Sequence, residues 1–505
     1  MLKHIGSNWT ISALRLITMI WLTPFILGRL GTDANGVWVT IVSMTGFLSL
    51  FVMGVPMSTV KHIAEHIARE DTDKANRAIG TSAGISLCLA GVALIASGPL
   101  YLFFERGLLE SERWASLDAE TLKQARVAWW IVTAQVCSGF VMRLPLAIFD
   151  AHRDFITRNC LLAGAIILRV VLVLTLLSWE PTISALALCP MGVLLFEWVG
   201  ALLLIRWRHK DVRFSIKSFD RSMLREIVGF SLFATLVNVG TMLAFRTDAM
   251  IIGAFGDAAS VTDFDIGNKF FEPLVAAMIA VASVVLPTST RMATQGRKEE
   301  IADVFMKWSK VCVSISLLVG TYLLVLGPRF LAVWIGPSYE AEPGEVLRIL
   351  MVSFLFYLPI RGVALPILLG LGEAKRPALG LLSMGVLNIA LSIYLIRDHG
   401  IIGVAYGTAI PNILYAIWIL RETCRELRVD ASTWCAHTLG RTLPAAVLPA
   451  AALYAILELH PPKDLTELIL AGALSTGLFA LLWVKFVYRG DPDLQLWSRS
   501  KRDGA

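Results

Sequence analysis

NCLLAGAIILRVVLVLTLLS, residues 159–178, is a twenty-residue run whose single charge, Arg169, stands near its middle. About 20 predominantly apolar residues in helical conformation cross the hydrocarbon core of a bilayer, whereas a soluble helix shows only an apolar stripe. The run is therefore read as a membrane span. Its arginine needs a partner, because a charge at mid-span costs about 2.5–3.5 kcal/mol on insertion scales.

Similar runs recur along all 505 residues, at about 8–29, 36–56, 79–104, 125–149, 183–206, 227–254, 263–288, 303–327, 345–372, 377–396, 400–420, 442–458 and 465–487. Composition agrees. Charged residues are 17% of the chain and hydrophobic residues 56%, where a soluble domain carries about 25% charged; mean hydropathy is +0.68. The expectation is an all-α polytopic membrane protein of about fourteen transmembrane helices. The first span is too long for a signal peptide and no cleavage-like site follows it, so it is expected to stay.

Lys and Arg set the orientation. With a cytoplasmic N-terminus, the inner loops hold about 26 of them and the outer loops roughly 6, which places both termini inside. The densest cluster, RWRHKDVRFSIKSFDRSMLRE (206–226), reads as a topology signal that also meets anionic membrane lipids, not as a nucleic-acid site. All seven cysteines fall in helices or inner loops, so no disulfide framework is expected. The longest outer loop, ERGLLESERWASLDAETLKQ (105–124), is too short to scaffold outer-face sugar chemistry, and no phosphate-binding G-x-x-x-x-G-K-[ST] loop occurs.

A weak repeat suggests internal symmetry. ILGRLG (26–31) is echoed by IIGAFG (251–256), and VPMST from Val55 by LPTST from Leu286. The order implies two pseudo-symmetric six-helix bundles, 1–212 and 213–425, joined by the basic loop. Residues 426–505 then hold two extra helices and a cytoplasmic tail. Transporters built this way bind substrate between the repeats.

Helical phase sorts the intramembrane charges. Asn8, Ser12, Arg15 and Thr18 form one stripe on the first span, and Ser231, Thr235, Asn238, Thr241 and Asp248 form another on the seventh. Ser353, Tyr357 and Arg361 align on the tenth, near Pro359 and Pro366, and Asp265, Asn268 and Glu272 share a face of the eighth. Arg246 falls on the opposite face from Asp248 if the helix is continuous. Lys269 is placed for a local bridge to Asp265 or Glu272, and Arg169 for a pair with Glu197. Arg143 lies near the inner end of the fourth span, where a guanidinium reaches the interface. Arginines at Arg15 and Arg361 favour an anion, since guanidinium binds phosphate bidentately. Arg15, Arg361, Asn238, Asp248, Arg143 and Asn8 are the expected substrate-binding residues, and Asp248 and Glu272 the candidates for a coupling H+ or Na+. No cofactor is expected.

HIAEH (62–66) has the form of the inverzincin zinc-peptidase signature. Val60, Ile63, Ala64, Ile67 and Ala68 nevertheless form an apolar stripe beside it, so the segment 57–78 reads as a surface helix joining spans two and three. A catalytic zinc also needs a third protein ligand, which nothing downstream marks.

PFILGRLGTDANGVW (24–38), MGVPMSTVKHIAEHIARED (53–71), DAMIIGAFGD (248–257), LAVWIGPSYE (331–340) and NIALSIYLIRDHGIIGVAYGT (388–408) together resemble the polysaccharide-transporter and O-antigen flippase branch of the multidrug/oligosaccharidyl-lipid/polysaccharide exporter superfamily. The resemblance covers about 1–425. It implies alternating access about a cationic cavity and transport of undecaprenyl-pyrophosphate-linked oligosaccharide across the bacterial inner membrane, alongside glycan polymerase or glycosyltransferase machinery. A cation-coupled multidrug antiporter of the same fold is the alternative, but it calls for an acidic first span. A membrane enzyme calls for bound zinc or a large outer domain.

Overall fold

The structure is a computed structural model that describes residues 2–52, 54–209, 211, 212, 214, 218–221, 223, 224 and 232–488. Every regular element among them is helical. The α-helices are α1 (Leu2–Leu30), α2 (Thr32–Gly46), α3 (Val55–Ala68), α4 (Thr72–Leu102), α5 (Ala119–Met142), α6 (Leu144–Ala151), α7 (Phe155–Trp179), α8 (Ile183–Arg208), α9 (Leu232–Phe245), α10 (Asp248–Phe255), α11 (Ala258–Gly267), α12 (Phe271–Thr294), α13 (Lys298–Trp334), α14 (Glu342–Pro359), α15 (Leu365–Gly370), α16 (Lys375–Leu427), α17 (Ala431–Leu459) and α18 (Leu465–Trp483).

Twelve helical stretches among the described residues are long and apolar enough to cross a bilayer. One of them, α16, is a hairpin of two spans. Gly400 turns it with φ +54°, a left-handed backbone that glycine adopts without a Cβ clash. Asn388 Nδ2 donates to Thr408 Oγ1 across the hairpin at 2.8 Å. Near its open end the Arg376 guanidinium lies 3.3 Å from Glu422. The interrupted helix α9–α10 covers the described part of the expected seventh span.

The chain packs as two compact units, 1–262 and 263–505. In the first, Trp129 stacks on Phe104 with ring centroids 4.8 Å apart, within a core that includes Val37, Ile41, Met44 and Trp114. Trp114 belongs to the segment 105–124, expected as a plain loop. Instead its indole is fully buried and donates to the Gly253 carbonyl at 2.9 Å, while Arg113 donates to Ala254 O at 2.7 Å. Described parts of the basic connection are fastened to α4: Asp220 N donates to Thr81 Oγ1 at 2.8 Å, and Arg77 lies 3.6 Å from the Asp220 carboxylate.

In the second unit, α13 makes polar contacts with the last two helices and with the loop that joins them. Lys310 Nζ lies 2.6 Å from His437 Nε2 of α17, and Trp483 Nε1 of α18 donates to Ser314 Oγ at 2.8 Å. Tyr322 OH donates to Leu468 O at 3.2 Å, and Arg329 Nε to Pro462 O at 2.7 Å. At 3.6 residues per turn, positions 310, 314, 322 and 329 share one face of α13. The two extra helices are thus tied to the C-terminal unit by one stripe of donors and acceptors.

Candidate functional site: an arginine pair around Glu197

Two arginines of the first unit lie within electrostatic reach of one carboxylate. Arg15 stands on α1, Arg143 at the junction of α5 and α6, and Glu197 on α8. Both guanidiniums are close enough to act electrostatically on the Glu197 carboxylate. Helical rise explains the meeting. At 1.5 Å per residue the three lie about 20, 12 and 17 Å from the helix ends on the side of the N-terminus, namely Leu2, Ala151 and Arg208. Arg143 gains its place from Pro145, the second residue of α6, which has no N–H to continue the hydrogen-bond ladder of α5. Both arginines are exposed on the unit and Glu197 is half-buried.

Arg143 also lines a cavity of about 680 Å³, within the size range of ligand sites. Met57, Val60, Leu146 and Phe155 make its wall apolar, and Lys61 adds a second cation. Its one acid, Asp150, is paired with Arg158 at 3.0 Å. Two arginines within electrostatic reach of one carboxylate leave positive charge in excess.

The expected pair for Glu197 was Arg169. Arg169 instead stands within electrostatic reach of Cys189, two turns before Glu197 on α8. The signal that finds the true neighbours is depth counted from a common face, which periodicity within one helix does not contain.

The stripe expected on the seventh span needs correction. The helix breaks at Arg246 and Thr247. There the Thr247 hydroxyl turns back to Leu243 O at 2.8 Å, a contact that bends helices. Phase counted through 246–248 therefore says nothing about the relation of Arg246 to Asp248. Asp248 is 3% exposed and begins α10, where the helix dipole favours its carboxylate. Asn238 is half-buried in α9. Ser231 lies outside the described residues, as do the side chains of Thr235 and Asn8.

The eighth span is likewise interrupted, at 268–270. Pro273 cannot donate to the carbonyl of Lys269, so α12 starts afresh and the shared face of Asp265, Asn268 and Glu272 does not persist. The local bridge of Lys269 is present, to Asp265 at 2.5 Å. Glu272 is exposed near the start of α12.

Arg361 belongs to the second unit. Pro359 and Pro366 bracket a π-helical turn, Ile360–Ala364, that carries it, and such turns recur at functional sites. Its guanidinium acts on the buried hydroxyls of Tyr357 and Tyr415, whose rings lie 6.2 Å apart. Ser353, one turn before Tyr357, accepts from Asn412 Nδ2 at 3.5 Å.

HIAEH lies on α3, which is amphipathic as expected but ends at Ala68; α4 begins at Thr72 behind an Asp71 cap. Ile63 is fully buried among Ala78, Ile79, Ile148 and Phe149, with Ala64 and Ile67 against them. Glu65 lies 3.0 Å from Arg69 and 4.0 Å from His62. Among the described residues no three His, Cys, Asp or Glu side chains converge as a metal-ligand set.

Residues 125–342 match a family described as polysaccharide biosynthesis protein. The chain is 23% identical over 429 residues to the uncharacterized membrane protein EpsK of Bacillus subtilis, covering 81% of this chain and 80% of that one. It is 19% identical to a putative O-antigen transporter of Shigella flexneri, over 83% of this chain and 98% of the relative. Among solved structures, the lipid II flippase MurJ in an inward closed conformation superposes with a TM-score of 0.69, covering 97% of this chain and 100% of that one at 14% identity. In sequence the chain is thus similar to a polysaccharide biosynthesis family and to a putative O-antigen transporter, and in fold it is similar to the lipid II flippase structure.

Proposed function

We propose that this protein is a flippase that carries undecaprenyl-pyrophosphate-linked oligosaccharide, an O-antigen, capsule or exopolysaccharide unit, across the bacterial inner membrane by alternating access. What supports this reading is that Arg15 and Arg143, both within electrostatic reach of Glu197, stand in helical stretches long and apolar enough to cross a membrane. A drug antiporter would need a carboxylate where the first span offers Arg15. The names of the Shigella relative and of the MurJ neighbour support the same substrate class.

In this reading Arg15, Arg143 and Arg361 are assigned to the pyrophosphate, and Asn8 and Asn238 to hydrogen bonds with sugar. Asp248 and Glu272 are assigned to a coupling H+ or Na+. Both termini face the cytoplasm, membrane lipids bathe the spans, and a polymerase or glycosyltransferase acts on the same glycan. The test is complementation of a deletion strain. Arg15→Glu should insert normally and abolish surface glycan; full export by that variant would refute the anion site.

A further inference from the structure

The cavity that Arg143 lines holds a second cation, Lys61, to which transport as proposed assigns no task. Two helix faces build it. Met57, Val60 and Lys61 of α3 lie at i, i+3 and i+4. Arg143 at the cap of α6, with Leu146, Ala147 and Asp150 along that helix, repeats the spacing at i, i+3, i+4 and i+7. α3 packs on α6, with Ile63 fully buried beside Ile148 and Phe149, while Met57 stays 63% exposed on the cavity wall. Phe155, the first residue of the span Phe155–Trp179, also lines it, and Asp150 stands one residue before the end of the span Ala119–Ala151. α3 itself, at 14 residues, is too short to cross a bilayer. The cavity therefore lies at the ends of two spans beside an amphipathic helix, the level at which lipid headgroups meet acyl chains.

An apolar wall carrying two cations at that level matches a phosphate attached to an acyl chain, since basic pockets between span ends hold anionic headgroups. Lys61 offers a point charge and Arg143 a planar fork. Asp150, the acid of the lining, is engaged by Arg158 at 3.0 Å. The lining holds no hydroxyl or amide side chain, whereas the many hydroxyls of a glycan would each need a hydrogen-bonding partner once buried. The polar part of the occupant is therefore compact. We propose that this cavity is a binding site for one anionic phospholipid, whose phosphate meets Lys61 and Arg143 and whose acyl chain lies along Met57, Val60, Leu146 and Phe155. The site goes beyond the flippase reading and does not rest on it. Arg143 is common to both, so the test reads the site through Lys61 and Met57, which the transport assignment does not use.

Full-length protein is stripped of lipid in detergent and titrated with phosphatidylglycerol, with zwitterionic phosphatidylcholine as the control, and bound lipid is counted by native mass spectrometry. Wild type should take up one phosphatidylglycerol in preference to phosphatidylcholine. Lys61→Gln should weaken phosphatidylglycerol binding about fivefold, the effect of one lysine at a lipid surface, and leave phosphatidylcholine unchanged. Lys61→Arg should bind as wild type does. A phosphatidylglycerol with a photoreactive acyl chain gives a second readout on wild type alone, and should label Met57 or Phe155. Equal binding of the two lipids, wild-type affinity in Lys61→Gln, or labelling confined to other positions overturns the site. Glycerol phosphate competing as strongly as phosphatidylglycerol would show the apolar wall to be idle, and overturns it too. Stronger protection from labelling by undecaprenyl phosphate than by unlabelled phosphatidylglycerol would make the cavity an entrance for a carrier lipid, and overturns the phospholipid assignment. The flippase reading is tested separately, by complementation with Arg15→Glu.

Discussion

Gly36 offers a sharp test of how the first unit is packed. It lies on α2 where that helix crosses the start of α11, and a Cβ built on it would stand 1.7 Å from the Ala258 carbonyl oxygen and 2.6 Å from the carbonyl carbon. Both are main-chain atoms and cannot rotate away. Relieving the clash to an ordinary non-bonded distance means parting the helices by about 2 Å. That movement also breaks the contacts beside it, where Asn35 Nδ2 donates to Thr262 Oγ1 at 3.1 Å and Thr262 Oγ1 to Thr32 O at 2.7 Å. Overpacking costs about 1–3 kcal/mol and each lost hydrogen bond about 0.5–1.5 kcal/mol. Gly36→Ala should therefore destabilise the unit by about 2–6 kcal/mol, lowering its melting temperature by roughly 4–24 °C. Gly46, on the same helix with nothing near its Cβ position, is the control. Alanine there should leave melting unchanged or raise it slightly. Melting of both variants in detergent, followed by tryptophan fluorescence, decides the matter. If the two melt together, the close crossing of α2 and α11 is wrong.

The other predictions concern single contacts. Arg15→Lys keeps the charge but loses the bidentate fork, so binding of undecaprenyl pyrophosphate should weaken by about tenfold; equal affinity would show that only charge matters there. Trp483→Phe removes the bond to Ser314 and should lower stability by about 1 kcal/mol, read as a fall in melting temperature that Ser314→Ala does not deepen. Burial holds His209 below its ordinary 6.5, and His152, its ring 4.1 Å away, pushes the same way, against the opposing pull of Asp154. The unfolded chain therefore takes up a proton that the folded chain resists. The stability from neutral His209 is present above about pH 6.5 and lost as pH falls through the folded value. His209→Gln should flatten melting temperature between pH 7.5 and 5 relative to wild type.

Much of the fold was open to reading from composition, because the bilayer demands long apolar helices whatever their neighbours are. Residues 159–178 announce a span by themselves, and Ile63 and Ile67 foretell the docked face of α3. Pro359 and Pro366 mark the irregular turn at Arg361, since a missing N–H acts locally. What failed to show was non-local. The burial of Trp114 depends on Gly253, 139 residues away. The breaks at 246–247 and 268–270 defeated helical phase because a stripe counted along one continuous helix loses its meaning at a turn.

The candidate site divides in the same way. The sequence by itself determined that Arg15, Arg143 and Glu197 are charges a membrane helix does not carry without cause. It could not choose partners among them, because pairing depends on which helices are adjacent and how deep each residue lies. Tertiary structure decided that Glu197 lies within electrostatic reach of Arg15 and Arg143, and that α17 and α18 are bound to α13 through Lys310 and Ser314. Covalent order along the chain carries neither relation; packing in three dimensions creates both.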